Sequence, residues 1–478
     1  MPPYADHAPP ANGFSPKSSI PGIITINVGG QLFQTTPQTL SLSGPKSFLS
    51  SQLSEDIAFP FIDRDPDLFS VLLSLLRTGY LPSKAKAFDL QDLISEAHFY
   101  NIHDLLVTSL SNPSHLDAFN LEKSSILPLN GRDSPSAIAT TKYGSVHVAH
   151  GSKITSFDWS LRRKSTILTQ FAAVDSLLSL SPSVAAAGAT DFPGLQILDL
   201  NDGSIKQTLS WENPTRSSST VQAIGASPDF LFTSFESSRR NSNSIMVFDL
   251  SAESSFQPIA EIGRGEIYGA ELDSAIPATK LEWVPGYNLL LASGSHGGPS
   301  GLVGHMRLWD IRSSSAVWEL KEKADCFADV AASERLNSIF KVGVNSGEVF
   351  MADMRKLSGS GSGNPWICIG GNGYAWKGGV GGRKEGSGCR IECCGAQVFC
   401  SKGGDVEMWS EVAVEPTLGC GWEEGVVEGR VFRRNVIGRV KDAGGCRITH
   451  MGFGGNRMVL ARKGQQSVEV WQSHNSRV

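Results

Sequence analysis

Cys389-Arg-Ile-Glu-Cys-Cys394, followed by Cys400, is the grouping whose residue types most resemble a metal site. Structural zinc takes cysteine pairs two to four residues apart, with a second pair at a set distance. The first spacing fits, but no matched pair follows and the nearest histidine is His450. On a strand, Cys389, Ile391 and Cys393 share one face, which reads as small core residues. No metal and no cofactor is therefore expected. A second grouping, Arg430, Arg433, Arg434, Arg439 and Lys441, is interleaved with Val431, Phe432, Val436 and Ile437. It reads as two strands with solvated basic faces, with an acidic partner or nucleic acid as the alternative. Phe61-Ile-Asp-Arg-Asp-Pro66 is a capped helix start whose Arg64 and Asp65 form either a surface pair or part of a protein interface. Exposed pairs contribute only ~0–1 kcal/mol, so an assembly role requires burial. The chain has no Gly-Lys-Ser/Thr phosphate loop, no His-Glu-x-x-His helix and no Gly-x-Ser-x-Gly elbow. Nothing places a nucleophile beside a base, and the chain is not expected to be an enzyme.

The elements that must position these groups follow from composition and pattern. A length of 478 residues exceeds one ordinary domain. Hydrophobic residues at 40% suffice for sizeable cores, and a net charge of −5 argues against a generally basic nucleic-acid binder. Fifty glycines and 24 prolines indicate many turns, as in all-β architecture. No run approaches the ~18 apolar residues of a membrane span. The first 22 residues hold six prolines and no basic segment followed by an apolar one, so no signal peptide is expected. All eight cysteines lie at or beyond Cys326 and read as reduced thiols of an intracellular protein, in cytoplasm or nucleus.

Residues 1–21 read as a disordered lead-in. Residues 22–110 read as one small α+β domain. Ile24, Ile26 and Val28 alternate on a strand, Gly29-Gly30 turns, and Leu32 to Thr35 returns. Pro37 opens a short helix, and Ala58 to Ile62 reads as a further strand. Asp65-Pro66 starts a helix that Gly79 ends, and its leucines place it in the core. Asp89 caps the next helix, and Asn101 breaks it.

After residue 135, short strands and turns continue to the end. Seven segments share one shape, an apolar strand ending in an aromatic or aliphatic residue and usually an Asp: Ile154 to Asp158, Leu195 to Asp199, Ile245 to Asp249, Met306 to Asp310, Val349 to Asp353, Val406 to Ser410 and Val468 to Gln472. Their spacing runs from 41 to 62 residues, and the shortest match a WD-repeat blade. Gly304-His305 lies too close to Trp309 to be the WD-repeat dipeptide. The expectation is an all-β propeller of seven blades over 136–474, with Trp309, Trp409 and Trp471 as core. Residues 357–404 hold 15 glycines, and the stretch near 357–390 reads as a flexible Gly/Ser-rich insertion. The last motif ends too near the C-terminus for another strand. The connector, 111–135, is therefore the candidate for a closing strand, at Ser124 to Leu129.

Four blocks across 22–110 carry a resemblance: Ile24-Thr-Ile-Asn-Val-Gly-Gly30 with Phe33-Gln-Thr35, Phe61 to Pro66, Leu76-Arg-Thr-Gly-Tyr-Leu81, and Leu93 to Ile102. The domain resembles the BTB/POZ domain of the potassium-channel tetramerisation type. The whole arrangement is similar to a group of plant BTB/POZ proteins with a WD-repeat-like region. The resemblance implies a homo-oligomer, a ring or closed tetramer-like assembly, whose interface carries over to Asn27, Gly29, Gly30, Arg64, Asp65 and Arg77. It also implies docking of cullin-3 through Leu53, Ile57, Phe59 and His98, Phe99, Tyr100 and Asn101. The implied function is substrate adaptor of a cullin-3 RING ubiquitin ligase, with the propeller recruiting protein substrates. The alternative is a ligase-independent scaffold or transcriptional co-regulator. With no cysteine before 326, the zinc pattern of some channel domains is not expected, and no second helical extension is apparent after Leu110.

Overall fold

The structure is a computed structural model. It describes residues 22–45, 47–51, 61–111, 116–251, 255–266, 276–298, 301–323, 325–357, 364–370, 385–412, 426–427, 430–437 and 446–473. The chain divides into two compact units, residues 1–109 and 110–478.

In the first unit, β1 (Ile24–Val28) and β2 (Gln31–Thr35) form an antiparallel hairpin. Among the described residues five α-helices follow: α1 (Pro37–Ser41), α2 (Phe48–Ser51), α3 (Pro66–Thr78), α4 (Leu90–Phe99) and α5 (His103–Ser111). Of the expected strand at Ala58 to Ile62, Ile62 bridges Val28 in parallel, and residues 58–60 lie outside the described residues. The ends of α3 are those its sequence dictates. The Asp65 carboxylate accepts from the amides of Asp67 (2.7 Å) and Leu68 (3.2 Å). Gly79, at φ 75°, closes the helix by donating to the Leu75 carbonyl. Seven of its apolar side chains are buried, so α3 is the central helix of this unit. Phe69 meets Phe33 edge-on and Tyr100 at a tilt.

The second unit is a β-propeller. Among the described residues its strands form five sheets of four or five strands, within 135–168, 280–322, 327–368, 391–437 and 448–473 joined by 121–128, and one of eight within 176–266. This corrects the expectation of seven separate blades. In the eight-stranded sheet two four-stranded groups are joined where Pro193 pairs with Thr220. The first strands of successive groups touch one another round a closed ring, so they line an axial channel.

Every one of the seven repeated segments falls in a third strand: Lys153–Phe157, Phe192–Asp199, Ser242–Asp249, Gly301–Asp310, Val349–Asp353, Asp405–Val412 and Ser467–Ser473. The recurrent Asp has a local cause. The side chains of Asp158, Asp199, Asp249, Asp310 and Asp353 each accept from the backbone amide two residues on, at 2.8–3.0 Å. Each therefore turns the chain toward its fourth strand. Hydrogen bonds from the side chains of Ser251 and Arg312, joined by those amide bonds, hold the carboxyls of Asp249 and Asp310 below the usual range.

The sheet of 448–473 takes its outer strand from the other end of the unit. Leu121–Pro128 pairs antiparallel with Ser467–Ser473, from Leu121 opposite Ser473 to Pro128 opposite Ser467. It begins three residues before the Ser124 expected from the sequence. Arg462 and Glu469 lock this sheet from inside. Arg462 is 2% exposed and donates to both carboxylate oxygens of Glu469 (3.1 and 3.3 Å) and to the carbonyls of Gly404 and Cys446.

The glycine-rich stretch is not insertion throughout. Residues 358–363 and 371–384 lie outside the described residues, but Ile367–Cys368 pairs with Val349–Asp353 and Trp366 is buried. Burial of Trp366 and Ile369 supplies the apolar contact that orders this piece.

Candidate functional site

Two regions gather residues whose arrangement suits recognition. The first is the corner of the N-terminal unit made by the β1–β2 turn, the start of α3 and the end of α4. Gly29, at φ 56°, donates its amide to the Ile62 carbonyl at 2.8 Å. A Cβ there would stand 2.5 Å from the Arg64 carbonyl oxygen and 2.9 Å from Pro66 Cδ. Gly30, at φ 90°, faces open space. Gly29→Ala is expected to cost about 3 kcal/mol or more, because strain and a backbone clash add, whereas Gly30→Ala costs about 1–2 kcal/mol. Hydrogen exchange across residues 22–110 of the full-length chain checks this; equal protection in the two variants would contradict it.

Asn27 is half-buried. Its carbonyl accepts from the Ile62 amide, and its Oδ1 is buried with no hydrogen-bond partner among the described residues. Arg64 and Asp65 do not pair with each other, because the cap consumes the Asp65 carboxylate. Arg64 reaches Glu96 instead, 3.6 Å away and nearly inaccessible, and stacks 4.0 Å over the Phe99 ring. Burial raises the Glu96 carboxyl pKa, and the Arg64 guanidinium pulls against it. Arg77 donates to the Gln34 carbonyl and so ties α3 to β2.

The Phe-Tyr pair divides. Phe99 is 40% exposed, while Tyr100 is fully buried against Phe69, and burial pushes its hydroxyl pKa up. Tyr100 is thus a core residue rather than a surface anchor. His98 stacks on His103 with ring centroids 4.0 Å apart. Asn101 sits at φ 54° and ends α4. Leu53, Ile57 and Phe59 lie outside the described residues. Sequence reasoning missed Glu96, a carboxylate on the buried face of an amphipathic helix.

The second region is the channel mouth of the propeller, a cavity of about 320 Å³ lined from every first strand. Lys280 donates to Asp329 (3.2 Å), Glu392 (3.0 Å) and the Ile391 carbonyl (3.2 Å), so one ammonium joins three first strands. Burial opposes its charge, but the two carboxylates outweigh burial and raise its pKa. Glu282 stands beside them and accepts from the Ala332 amide at 3.1 Å. Burial, against the pull of Lys280, pushes its carboxyl up to about 8. A glutamate with a raised folded pKa holds a proton that the unfolded chain releases. Its contribution is therefore full below the ordinary carboxyl pKa of about 4.3 and is lost as pH climbs toward 8. Glu282→Gln should keep the Ala332 contact and lose that dependence. Its melting temperature relative to wild type is expected to rise by roughly 2–4 °C between about pH 5 and about pH 8.5. A constant difference across that range would contradict the assignment. Alternate charged residues, Lys280 and Glu282, on an inner strand were the available sequence signal for this cluster.

In the remaining groupings the described side chains pack in the core or pair within the sheet. Cys389 and Cys400 are buried in one core cluster with Ile391, Val398 and Trp409, and burial raises both thiol pKa values. Arg430 is bound to Glu411 at 2.6 and 3.0 Å, and Arg434 pairs with Glu407 and lies over Trp409. Arg439 and Lys441 lie outside the described residues. No helix of the described residues is long and apolar enough to cross a membrane.

With these features in place, comparison with known proteins is informative. Residues 24–110 match the family model for the BTB/POZ domain, and residues 130–473 match that for the At2g24240-like, C-terminal beta propeller. The chain is 59% identical over 454 residues to Arabidopsis thaliana BTB/POZ domain-containing protein At5g41330, covering 94% of this chain and 96% of that protein. It is 30% identical over 365 residues to At4g30940, a BTB/POZ domain-containing protein of the same plant, covering 72% and 78%. Among solved structures, a chain of the crystal structure of the mitotic checkpoint complex is similar in fold, with a TM-score of 0.50, 12% identity, and coverage of 74% of this chain and 96% of that one. The chain belongs to the BTB/POZ domain-containing proteins that carry an At2g24240-like C-terminal β-propeller.

Proposed function

We propose that this chain is a non-enzymatic adaptor of the cytoplasm or nucleus. Its BTB/POZ domain, of the potassium-channel tetramerisation type, self-associates and docks cullin-3. Its WD-repeat-like propeller brings protein substrates to the cullin-3 RING ligase. The observation that carries this reading is the corner where Phe99 stands 40% exposed beneath Arg64, on the segment that the resemblance assigns to cullin contact. A large aromatic beside a guanidinium is the kind of anchor in which interface energy concentrates. A propeller in the same chain supplies a second surface, and self-association would multiply it, raising effective substrate concentration.

The test compares purified cullin-3 capture by the full-length chain and by its Phe99→Ala variant. The expected result is capture by wild type and at least about tenfold weaker capture by the variant, with unchanged circular dichroism and unchanged light scattering. Equal capture by a folded variant would remove this corner from the docking site. A self-associated wild type that captures no cullin-3 would leave the ligase-independent scaffold as the reading.

A further inference from the structure

A second cavity, of about 690 Å³, opens at the end of the propeller where the first strands begin. It shares Gln222 and Thr279 with the channel mouth, so the two adjoin. The sequence makes it at Pro193. The strand Phe192–Asp199 breaks register after Phe192, and Pro193 then pairs with Thr220 of the next group. That pairing sets the Thr190–Asp191 turn across the cavity from Glu236, Arg240 and His296.

Charge is unevenly satisfied there. Lys280 is already held by Asp329 and Glu392, and Asp175 accepts from the amide and hydroxyl of Thr190 at 3.0 and 2.7 Å. Asp191, Glu236 and Arg240 have no ion pair among the described residues, so the lining sets two acidic groups against one basic one. Burial raises the Glu236 carboxyl pKa, and Arg240 and His296 offset this only in part. Hydroxyls of Thr220, Ser238 and Ser295 add acceptors to the wall, and Pro277 adds an apolar face against which an aliphatic stem can lie. Such a wall suits a ligand that brings several N–H donors and positive charge.

We propose that this end of the propeller docks an extended polypeptide segment whose Arg or Lys side chain enters the cavity beside Asp191 and Glu236. The inference rests on the adaptor reading and deepens it by naming the recruiting face and the chemistry of the partner.

The experiment titrates the full-length chain with fluorescein-labelled hexapeptides of arginine, lysine and glutamate at physiological salt. The cationic peptides are expected to bind and the glutamate peptide not to. Asp191→Asn with Glu236→Gln should weaken cationic binding about tenfold, while the charge-matched control Asp92→Asn with Asp104→Asn, in the BTB/POZ domain, leaves it unchanged. Ser238→Trp, at an exposed wall position, fills the cavity without touching the core and should weaken binding equally. Absence of binding by any cationic peptide, or equal binding by wild type and both cavity variants, overturns the proposal. Cullin-3 capture by the same variants separates the two readings. Lost peptide binding with intact capture upholds this inference, whereas lost capture in wild type overturns the ligase reading alone.

Discussion

A chain beginning at Ala137 will aggregate or melt far below one beginning at Leu116. The strand Leu121–Pro128 is held by its pairing with Ser467–Ser473, and Leu121, Leu127 and Leu129 are all buried. Burying three leucines contributes roughly 5–9 kcal/mol as an upper estimate. A domain's net stability is only about 5–15 kcal/mol, so loss of this strand approaches the whole. It also bares the edge of Ser467–Ser473, an invitation to pairing between molecules. Scanning calorimetry with light scattering on the two chains decides the matter. Equal melting temperature and equal solubility would show that the segment is a linker with no part in closure.

The second large effect is expected at Arg462. Arg462→Ala leaves the Glu469 carboxylate buried, with a hydrogen bond from Trp471 at 3.2 Å and an ion pair with Lys123 at 3.9 Å as its remaining partners. It also strips the carbonyls of Gly404 and Cys446 of their donor. Breaking a buried pair from one side costs about 3–5 kcal/mol. Arg462→Leu with Glu469→Leu removes both charges and should recover part of that loss. Denaturant unfolding of the three proteins gives the comparison. An Arg462→Ala variant within ~1 kcal/mol of wild type would mean that this network does not hold the closing sheet.

Much of this fold was legible because its signals are local. Asp65, Pro66 and Gly79 bound α3 from within a few residues, and the recurrent strand-end Asp marks a turn whose hydrogen bond spans two residues. The closing strand had a signal of its own in the apolar Ile126, Leu127 and Leu129 that follow the first domain. What local pattern does not carry is which neighbour a strand pairs with. The strand-end motifs count third strands, and the union of two groups at Pro193 and Thr220 depends on contacts made in space. The same limit applied at the candidate sites. Phe99 ends α4 and Tyr100 caps it, and packing against Phe69, on another helix, sets Tyr100 inward. Glu96 escaped notice because its partner, Arg64, lies on another element. Lys280, Asp329 and Glu392 come from three strands far apart in sequence, so their cluster exists only once those strands stand side by side.

Cullin-3 held through the BTB/POZ domain is the proposal on which the adaptor role depends. Sedimentation velocity of the full-length chain mixed with the purified N-terminal domain of cullin-3, at about 10 µM each, tests it most directly. One boundary faster than either protein alone is expected, lost in the Phe99→Ala variant. Two independent boundaries, with the full-length chain folded and self-associated, would contradict it.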